Sequence, residues 1–516
     1  MAAILPRAVG KSPLVGGQIL DVITRGMYDN PLMVYREYVQ NAVDSIDAAN
    51  DAGLLRRGAG VVSISLCGKT RNVVIEDNGV GVHARMIRRT LVSIGASLKR
   101  SPRERGFRGI GRLGGLAYCE MLRFETRTSR SEPITVVDWD ARRWRDADDA
   151  LMHRASSVEK IIQGIVTIHK RPAHTQDPPH FFRVHLMNVH QFYSDELLNP
   201  SAVRNYLAQV APVGYDTVNF SFAEEARRIA LQVPGYQSYR IMLNGDSILR
   251  PYRDHIPVSK SRDDRITGIS TFELKDANGE VLGLGLYADT NLTAAIPPSL
   301  GMQGIRVRRG NIQIGDERLL DDVFIERRFA VWHIGEIHIA GHKLRPNARR
   351  DGFEQTKNYE RFLEQARALG RALSGLCRSS SRQRSINSRA KAIIREVEQL
   401  EASTLFIDGN HRTQVFRKLE ARLHALARQC SNGLSERLST LADNMRKAET
   451  SGRLLAEHID KRSVGRLNSE RLLQGLCRAV MEHYAATTSP EALVRRIIAP
   501  FAKPTSRAIL GRRPRP

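Results

Sequence analysis

Cysteine is sparse in this chain, and the few present are poorly placed for bridging. The five (Cys67, Cys119, Cys377, Cys430 and Cys477) are odd in number, widely spaced and contain no CxxC pair. That arrangement excludes a disulfide framework and a zinc module, and it suits a reducing cytoplasm. Long apolar runs are also missing. None approaches the ~20 residues of a membrane span, so no membrane partner is expected. The apolar stretch in MAAILPRAVGKSPLVGG is too short for a secretory signal, which again points to a cytoplasmic protein. Acid is in deficit, with 55 Asp and Glu against 79 Lys and Arg, a net charge of +24 and a pI near 10.2. Such an excess favours polyanionic partners, although charge alone reports a tendency to associate and not a function. Aromatics make up only 6% and are seldom interleaved with the arginines, so base stacking is not expected. No repeat of fixed period is found.

Ordinary cores are nevertheless affordable, because 41% of the 516 residues are hydrophobic and the length suits about three domains. The fold class expected is α+β. A first block, 1–210, opens with a helix that starts at Asn30-Pro31, a capping residue followed by proline. Leu32, Tyr35, Val39, Ala42 and Ile46 recur at helical spacing and should face a core. VVSISLC and NVVIED alternate as paired strands. A helix is expected from about His83 to Ser97, and a short one near Leu113 to Met121. MLRFETRT, ITVVDW, GIVTIHK and FFRVHLMNV read as further strands, giving a largely antiparallel sheet with helices on one face. The block 211–355 alternates YRIMLNG, STFELKD, GLGLYAD and GIRVRRGNIQIG as strands. Residues 356–502 are helical in pattern, with breaks near Asp408-Gly409, Asn432-Gly433 and Ser451-Gly452. From Arg367 to Arg395 this region is arginine-rich and acid-free. The stretch 503–516 reads as a basic disordered tail.

Three strings in the first block carry chemistry, each ordinary alone. In EYVQNAVDSID, Glu37, Asn41 and Asp44 fall at i, i+4 and i+7, one stripe of a helix. A carboxylate there can take a proton from an attacking water, and an amide oxygen suits Mg²⁺. In IEDNGVG, Asp77 ends an apolar strand, and Gly79 and Gly81 let backbone come close to a ligand. An Asp so fixed can accept a hydrogen bond from the exocyclic amine of adenine. In GFRGIGRLGG, Gly106, Gly109, Ile110, Gly111 and Gly114 lead into a helix, where backbone amides make a phosphate nest. Lys99, Arg105, Arg108 and Arg112 add positive charge around it. No βαβ unit opens on these glycines and no GxxxxGK[ST] string occurs, which disfavours a dinucleotide-binding domain and a Walker site.

In this order and spacing the three strings resemble the Bergerat-fold (GHKL) ATPases: gyrase, ninety-kilodalton heat-shock chaperones, histidine kinases, MutL and MORC proteins. The likeness covers roughly residues 18–190. It implies that Glu37 is the general base, Asn41 the metal ligand and Asp77 the adenine-binding carboxylate. Gly79 and Gly81 form its turn, and Gly109, Gly111 and Gly114 are lid glycines. IGASLK is similar to the segment before the lid in the chaperones and MutL. The family usually carries a GT pair on a late strand; here the candidate is Thr167 in GIVTIHK, or nothing in HFFRVHLMNV. The second block resembles the transducer of hydrolysing members, which sends a basic residue to the γ-phosphate. Arg306, Arg308 and Arg309, with Arg349 and Arg350, are the candidates.

A histidine kinase needs a phosphoacceptor helix before its ATP domain, and a topoisomerase needs a tyrosine domain and an acidic metal cluster; neither is seen. The layout looks most like the stand-alone prokaryotic chaperone-like ATPases, and more distantly like MORC and MutL. The resemblance implies ATP and Mg²⁺ as cofactors and hydrolysis driving a conformational switch. It also implies a homodimer whose N-terminal parts associate on ATP, and remodelling of a protein client. The alternative is an ATP-gated, non-specific DNA or RNA clamp.

Overall fold

The computed structural model describes residues 30–94, 111–145, 158–191, 195–347, 349–402, 409–430 and 433–447. The chain divides into two compact units, 1–382 and 383–516. In the first unit an eight-stranded sheet is built from β1 (Val61–Cys67), β2 (Asn72–Asp77), β3 (Cys119–Arg127), β4 (Ile134–Asp140), β5 (Val166–Arg171), β6 (Phe181–Val189), β7 (Arg240–Leu243) and β8 (Asp246–Ser247). The strands lie in the order β5-β4-β3-β6-β2-β1-β7-β8. Only the β1–β7 pair is parallel; the other six are antiparallel. The boundary expected at 210/211 therefore cuts this sheet, because β1 takes its outer neighbour from residues 240–243.

The long helix α1 (Met33–Asp51) lies on that sheet. Leu32, Tyr35, Val39, Ala42 and Ile46 are all buried, joining Ile64, Ile75, Leu122 and Leu186 in one core. At its start the Asn30 side chain accepts from the Leu32 amide at 2.8 Å, so this residue acts three positions ahead of the first residue of the regular helix. Tyr35 Oη donates to the Leu197 carbonyl at 2.5 Å, tying α1 to the 3-10 turn Glu196–Leu198. The expected helix over 83–97 is instead a 3-10 turn at Ala84–Met86 and a π-turn at Arg88–Val92. The helix expected at 113–121 is a 3-10 turn over Gly111–Ala117, and Cys119 already begins β3. Four glycines and alanines in seven residues weaken α-helical preference there. Three short helices escaped the sequence reading: α2 (Val158–Ile165), α3 (Pro200–Val210) and α4 (Ala223–Ala230).

The second block adds a ribbon, β9 (His255–Ser259) with β10 (Arg262–Arg265). Its five-stranded sheet comprises β11 (Gly268–Lys275), β12 (Val281–Asp289), β13 (Gly304–Arg309), β14 (Ile312–Ile314) and β15 (Ile334–Ile339), in the order β11-β12-β15-β13-β14. Helix α5 (Lys357–Ala402) follows, and the unit boundary falls within it. Its first part lays Phe362, Ala366, Leu373 and Cys377 on the core of β13 and β15. The second unit has its own core, in which Ile386 and Val397 meet Leu419 and Leu423 of α6 (Gly409–Ala427) and Leu438. The break expected near Asn432-Gly433 is present, with helix resuming over 433–447. The break at Ser451-Gly452 and the tail 503–516 lie outside the described residues.

Candidate active site

β2 ends on Asp77, which pairs in register with Val62 on one side and Phe182 on the other and is buried. Next, Asn78 closes the strand end, its Oδ1 accepting from the Val61 amide at 2.8 Å and its Nδ2 donating to the Ala59 carbonyl at 3.0 Å. The Gly79 amide then donates to Asp77 Oδ1 at 2.9 Å. A Cβ on Gly79 would overlap Ser45 and Asp77, so only glycine permits this approach of the turn to α1. Gly81 has φ +69°, and a side chain there would strike the Arg127 carbonyl. Burial pushes the Asp77 carboxyl up to about 7, against the opposing pull of the Gly79 amide and Ser45. A carboxylate so placed and so little hydrated calls for a donor from a ligand.

Arg36, Glu37 and Gln40 are all buried, Glu37 to 7% exposure. Two features cover Glu37. The lid residue Gly111 lies so close that a Cβ there would overlap the carboxylate. From the second block, the loop 345–353 arrives: Arg36 Nη2 donates to the Arg349 carbonyl at 3.0 Å, and Arg350 Nε stands 3.9 Å from Glu37 Oε1. Arg36 itself is 3.6 Å from the same oxygen. Tyr38, one residue on, locks the lid's base to the helix by donating to the Arg112 carbonyl at 3.0 Å and accepting from the Gly115 amide at 3.1 Å. Arg112 hydrogen-bonds the Ser93 carbonyl, and burial draws its guanidinium down to about 10. Asn41 lies one helical turn past Glu37 and is half-buried. Asp44 lines a cavity of about 900 Å³ with Gln40, Asp47 and Asp51, and Arg309 and Arg350 form its opposite wall.

Glu37, Asn41 and Asp44 thus share α1, Gly111 and Gly114 sit in the lid turn beside it, and Asp77, Gly79 and Gly81 in the turn against Ser45. Lys99, Gly106, Gly109 and Ile110 lie outside the described residues. Three expectations need correction. Thr167 is on the edge strand β5, four places from β2 and therefore roughly 19 Å away at the usual strand spacing. Arg306 and Arg308 are fully buried in the second block's sheet and committed there. Arg306 donates to Gln313 at 3.1 Å and to the Gly301 carbonyl at 2.9 Å; Arg308 donates to Glu336 at 2.9 Å and to the Gln209 carbonyl at 2.7 Å. Neither reaches Glu37.

Sequence reasoning missed His180, Ser45 and Arg36. His180 Nδ1 lies 2.8 Å from the Gly79 carbonyl, at the head of β6, where Thr167 was expected to serve. Beside it, Thr126 accepts from the Val82 amide at 2.7 Å and donates to the Phe181 carbonyl at 3.1 Å. A histidine preceding an apolar strand carries no signal of that role. Arg36 and Ser45 were legible only as neighbours of the stripe.

These residues fit an adenine nucleotide with a hydrated metal. Asp77 is buried without a cationic partner, glycines line both approaches, and the buried Gln40 Oε1 has no partner among the described residues. Comparison with known proteins agrees. Residues 31–167 match the family described as "Histidine kinase-, DNA gyrase B-, and HSP90-like ATPase". The chain is 22% identical over 205 residues to "Chaperone protein HtpG" of Salinispora tropica, covering 36% of this chain and 31% of that protein. It is 26% identical over 163 residues to the HtpG of a Polaromonas species, covering 28% and 26%. The chain thus spans less than a third of the length of these curated relatives. The family match and the mixed sheet-and-helix architecture together identify residues 31–167 as a GHKL-type ATPase domain of Bergerat fold, and so as an ATP-binding module.

Proposed function

We propose that the chain hydrolyses ATP to ADP and phosphate and uses the cycle as a conformational switch. The observation that carries this reading is the setting of Glu37, covered by Gly111 of the lid and met by Arg350 from the second block. Glu37 takes the proton of the attacking water as that water's oxygen bonds to the γ-phosphorus and the bond from the γ-phosphorus to the β,γ-bridging oxygen breaks, with ADP leaving on that oxygen. Arg36, 3.6 Å away, orients the Glu37 carboxylate. Arg350 offsets the negative charge that builds on the transferred group, and so lets the second block register which nucleotide is bound. Asp77 accepts the adenine amine, and the Gly79 to Gly81 turn lies against the base. Asn41 would hold Mg²⁺ through its amide oxygen, and the ion would supply positive charge to offset that of the phosphates.

Gly111 lying against Glu37 and a second block that reaches the same carboxylate together support ATP-dependent association of two protomers. The named relatives are chaperones, which supports remodelling of a protein client as the output. Glu37→Gln should bind ATP as wild type does and lose turnover by ~10²–10⁴-fold. Arg350→Ala should likewise keep nucleotide affinity and lose turnover. Phosphate release and nucleotide titration measure both; unchanged turnover in Glu37→Gln at saturating ATP would sink the mechanism. Sizing Glu37→Gln with and without Mg-ATP tests the association, and stimulation of turnover by an unfolded protein tests the client class.

A further inference from the structure

One surface of the first unit is unrelated to the ATP site and has its own pattern. Over residues 365–382 of α5 there are four arginines, Arg367, Arg371, Arg378 and Arg382, and no acid. They stand at i, i+4, i+11 and i+15, so at ~100° per residue all four fall within an arc of about 60°. All are exposed. The helix beneath them is fixed. Ala366, Leu373 and Cys377 are buried on another face, and Gly370 approaches so closely that a Cβ would overlap the Val323 carbonyl. Ser374, fully buried, accepts from the Ile325 amide at 3.3 Å.

Acids nearby are already engaged. Glu326 binds Arg378 at 3.0 Å and Arg328, and Asp322 pairs with Arg327 at 2.6 Å. Three acids would be needed to neutralise Arg367, Arg371 and Arg382, and none of these arginines has a hydrogen-bond or ion-pair partner among the described residues. Three unbridged guanidiniums in line on one rigid helix, with Arg378 between them, present a positive rail that a linear polyanion complements. The rail runs for ~22 Å, with two arginine pairs each rising ~6 Å. One strand of a duplex presents a charge about every 3.4 Å of its axis, so the stripe can face several phosphates at once.

We propose that this stripe is a backbone-reading contact for duplex nucleic acid, binding without sequence preference. No aromatic side chain stands among the four arginines, so no base is stacked or read. Guanidinium forks suit phosphate oxygens better than a point-charge ammonium does. The surface is independent of the ATPase reading, and either can fail without the other.

The test uses the full chain and an end-labelled duplex of random sequence, followed by fluorescence anisotropy from low to near-physiological salt. Arg367→Gln, Arg371→Gln and Arg382→Gln are combined, leaving the Arg378 bridge intact. Each lost phosphate contact removes ~0.9 from the slope of log affinity against log salt, so the triple variant should lose about 2.7 and bind at least roughly tenfold more weakly at low salt. ATP turnover should not change, since no residue of the site is altered. A matched control, Arg253→Gln with Arg262→Gln and Arg265→Gln, removes the same charge from exposed positions of the second block. It should leave most of the slope in place. Equal loss in the control, an unchanged slope in the stripe variant, or no wild-type retention of the duplex at low salt overturns the proposal. So does capture of phosphatidylserine vesicles without capture of duplex, which would make the stripe a membrane contact.

Discussion

Asp77 should make the stability of the free protein fall as pH rises, and a single substitution should remove the effect. Burial lifts its carboxyl from the ordinary 3.8 to about 7. A group whose folded pKa is raised favours the folded state fully below its unfolded pKa, and that advantage is lost as pH climbs through the folded value. For a rise of about three units the total is on the order of 4 kcal/mol. Between pH 5 and pH 8 the part lost is roughly 2–3 kcal/mol, because some of the titration lies below pH 5. Asp77→Asn keeps an oxygen for the Gly79 amide and has nothing to titrate. The variant should therefore gain on wild type across this window, by that amount, in urea unfolding of the nucleotide-free proteins. It should also lose nucleotide binding, since an amide cannot serve as the charged acceptor of the adenine amine. In wild type, binding near pH 6 should release up to one proton, measurable by calorimetry in two buffers of different ionisation enthalpy. Parallel stability curves for the two proteins from pH 5 to pH 8 would refute the reasoning, because they would mean Asp77 is hydrated or paired when folded.

Two further outcomes follow from contacts elsewhere. Gly111→Ala places a methyl on the Glu37 carboxylate, so turnover should fall on the order of 10²-fold with nucleotide affinity little changed; phosphate release kinetics at saturating ATP decide it. Glu336→Gln strips the buried carboxylate that joins Arg250, Arg308, Tyr215, Tyr252 and His338, and should cost ~3–5 kcal/mol in urea unfolding, with a native-like midpoint counting against the network.

The sequence disclosed those parts of the fold that depend on local period. The apolar stripe of α1 and the strands β1, β2, β4 and β6 were read almost residue for residue, since the apolar period of each is local; β4 departs from simple alternation by burying both faces. The turn at Asp77 was legible as the Asp-Asn-Gly string that ends an apolar strand, although the contacts that demand Asn78 and Gly79 reach Ala59, Val61 and Ser45. What lay hidden was long-range. The sheet borrows β7 from residues 240–243, and no local pattern marks a parallel neighbour that far along the chain. The resemblance marked Glu37 as a general base, but a helical wheel cannot show Arg349 and Arg350 of the second block or Gly111, which cover it. His180 was invisible for the same reason: its role depends on meeting Gly79, 101 residues earlier.

The arginines of GIRVRRGN show how tertiary packing decides among chemically equal candidates. Successive side chains of a strand point to opposite faces, so Arg306 and Arg308 share one face of β13 and Arg309 takes the other. The shared face turns into the second block's interior. There burial alone would raise the Glu336 carboxyl, but Arg250, Arg308 and His338 hold it well below the usual range. A guanidinium that neutralises a buried carboxylate cannot be withdrawn to serve a nucleotide, because the acid left behind would be charged and unpaired. Arg309, by contrast, lines the cavity facing Asp44. Burial lowers its pKa, and so do Arg350 and Arg345 beside it. Arg345 and Arg350 crowd Arg309 with like charge, and a polyphosphate entering the cavity would offset that repulsion. Among the second block's candidates, those able to answer a nucleotide are therefore the ones outside the buried Glu336 network, Arg309 and Arg350.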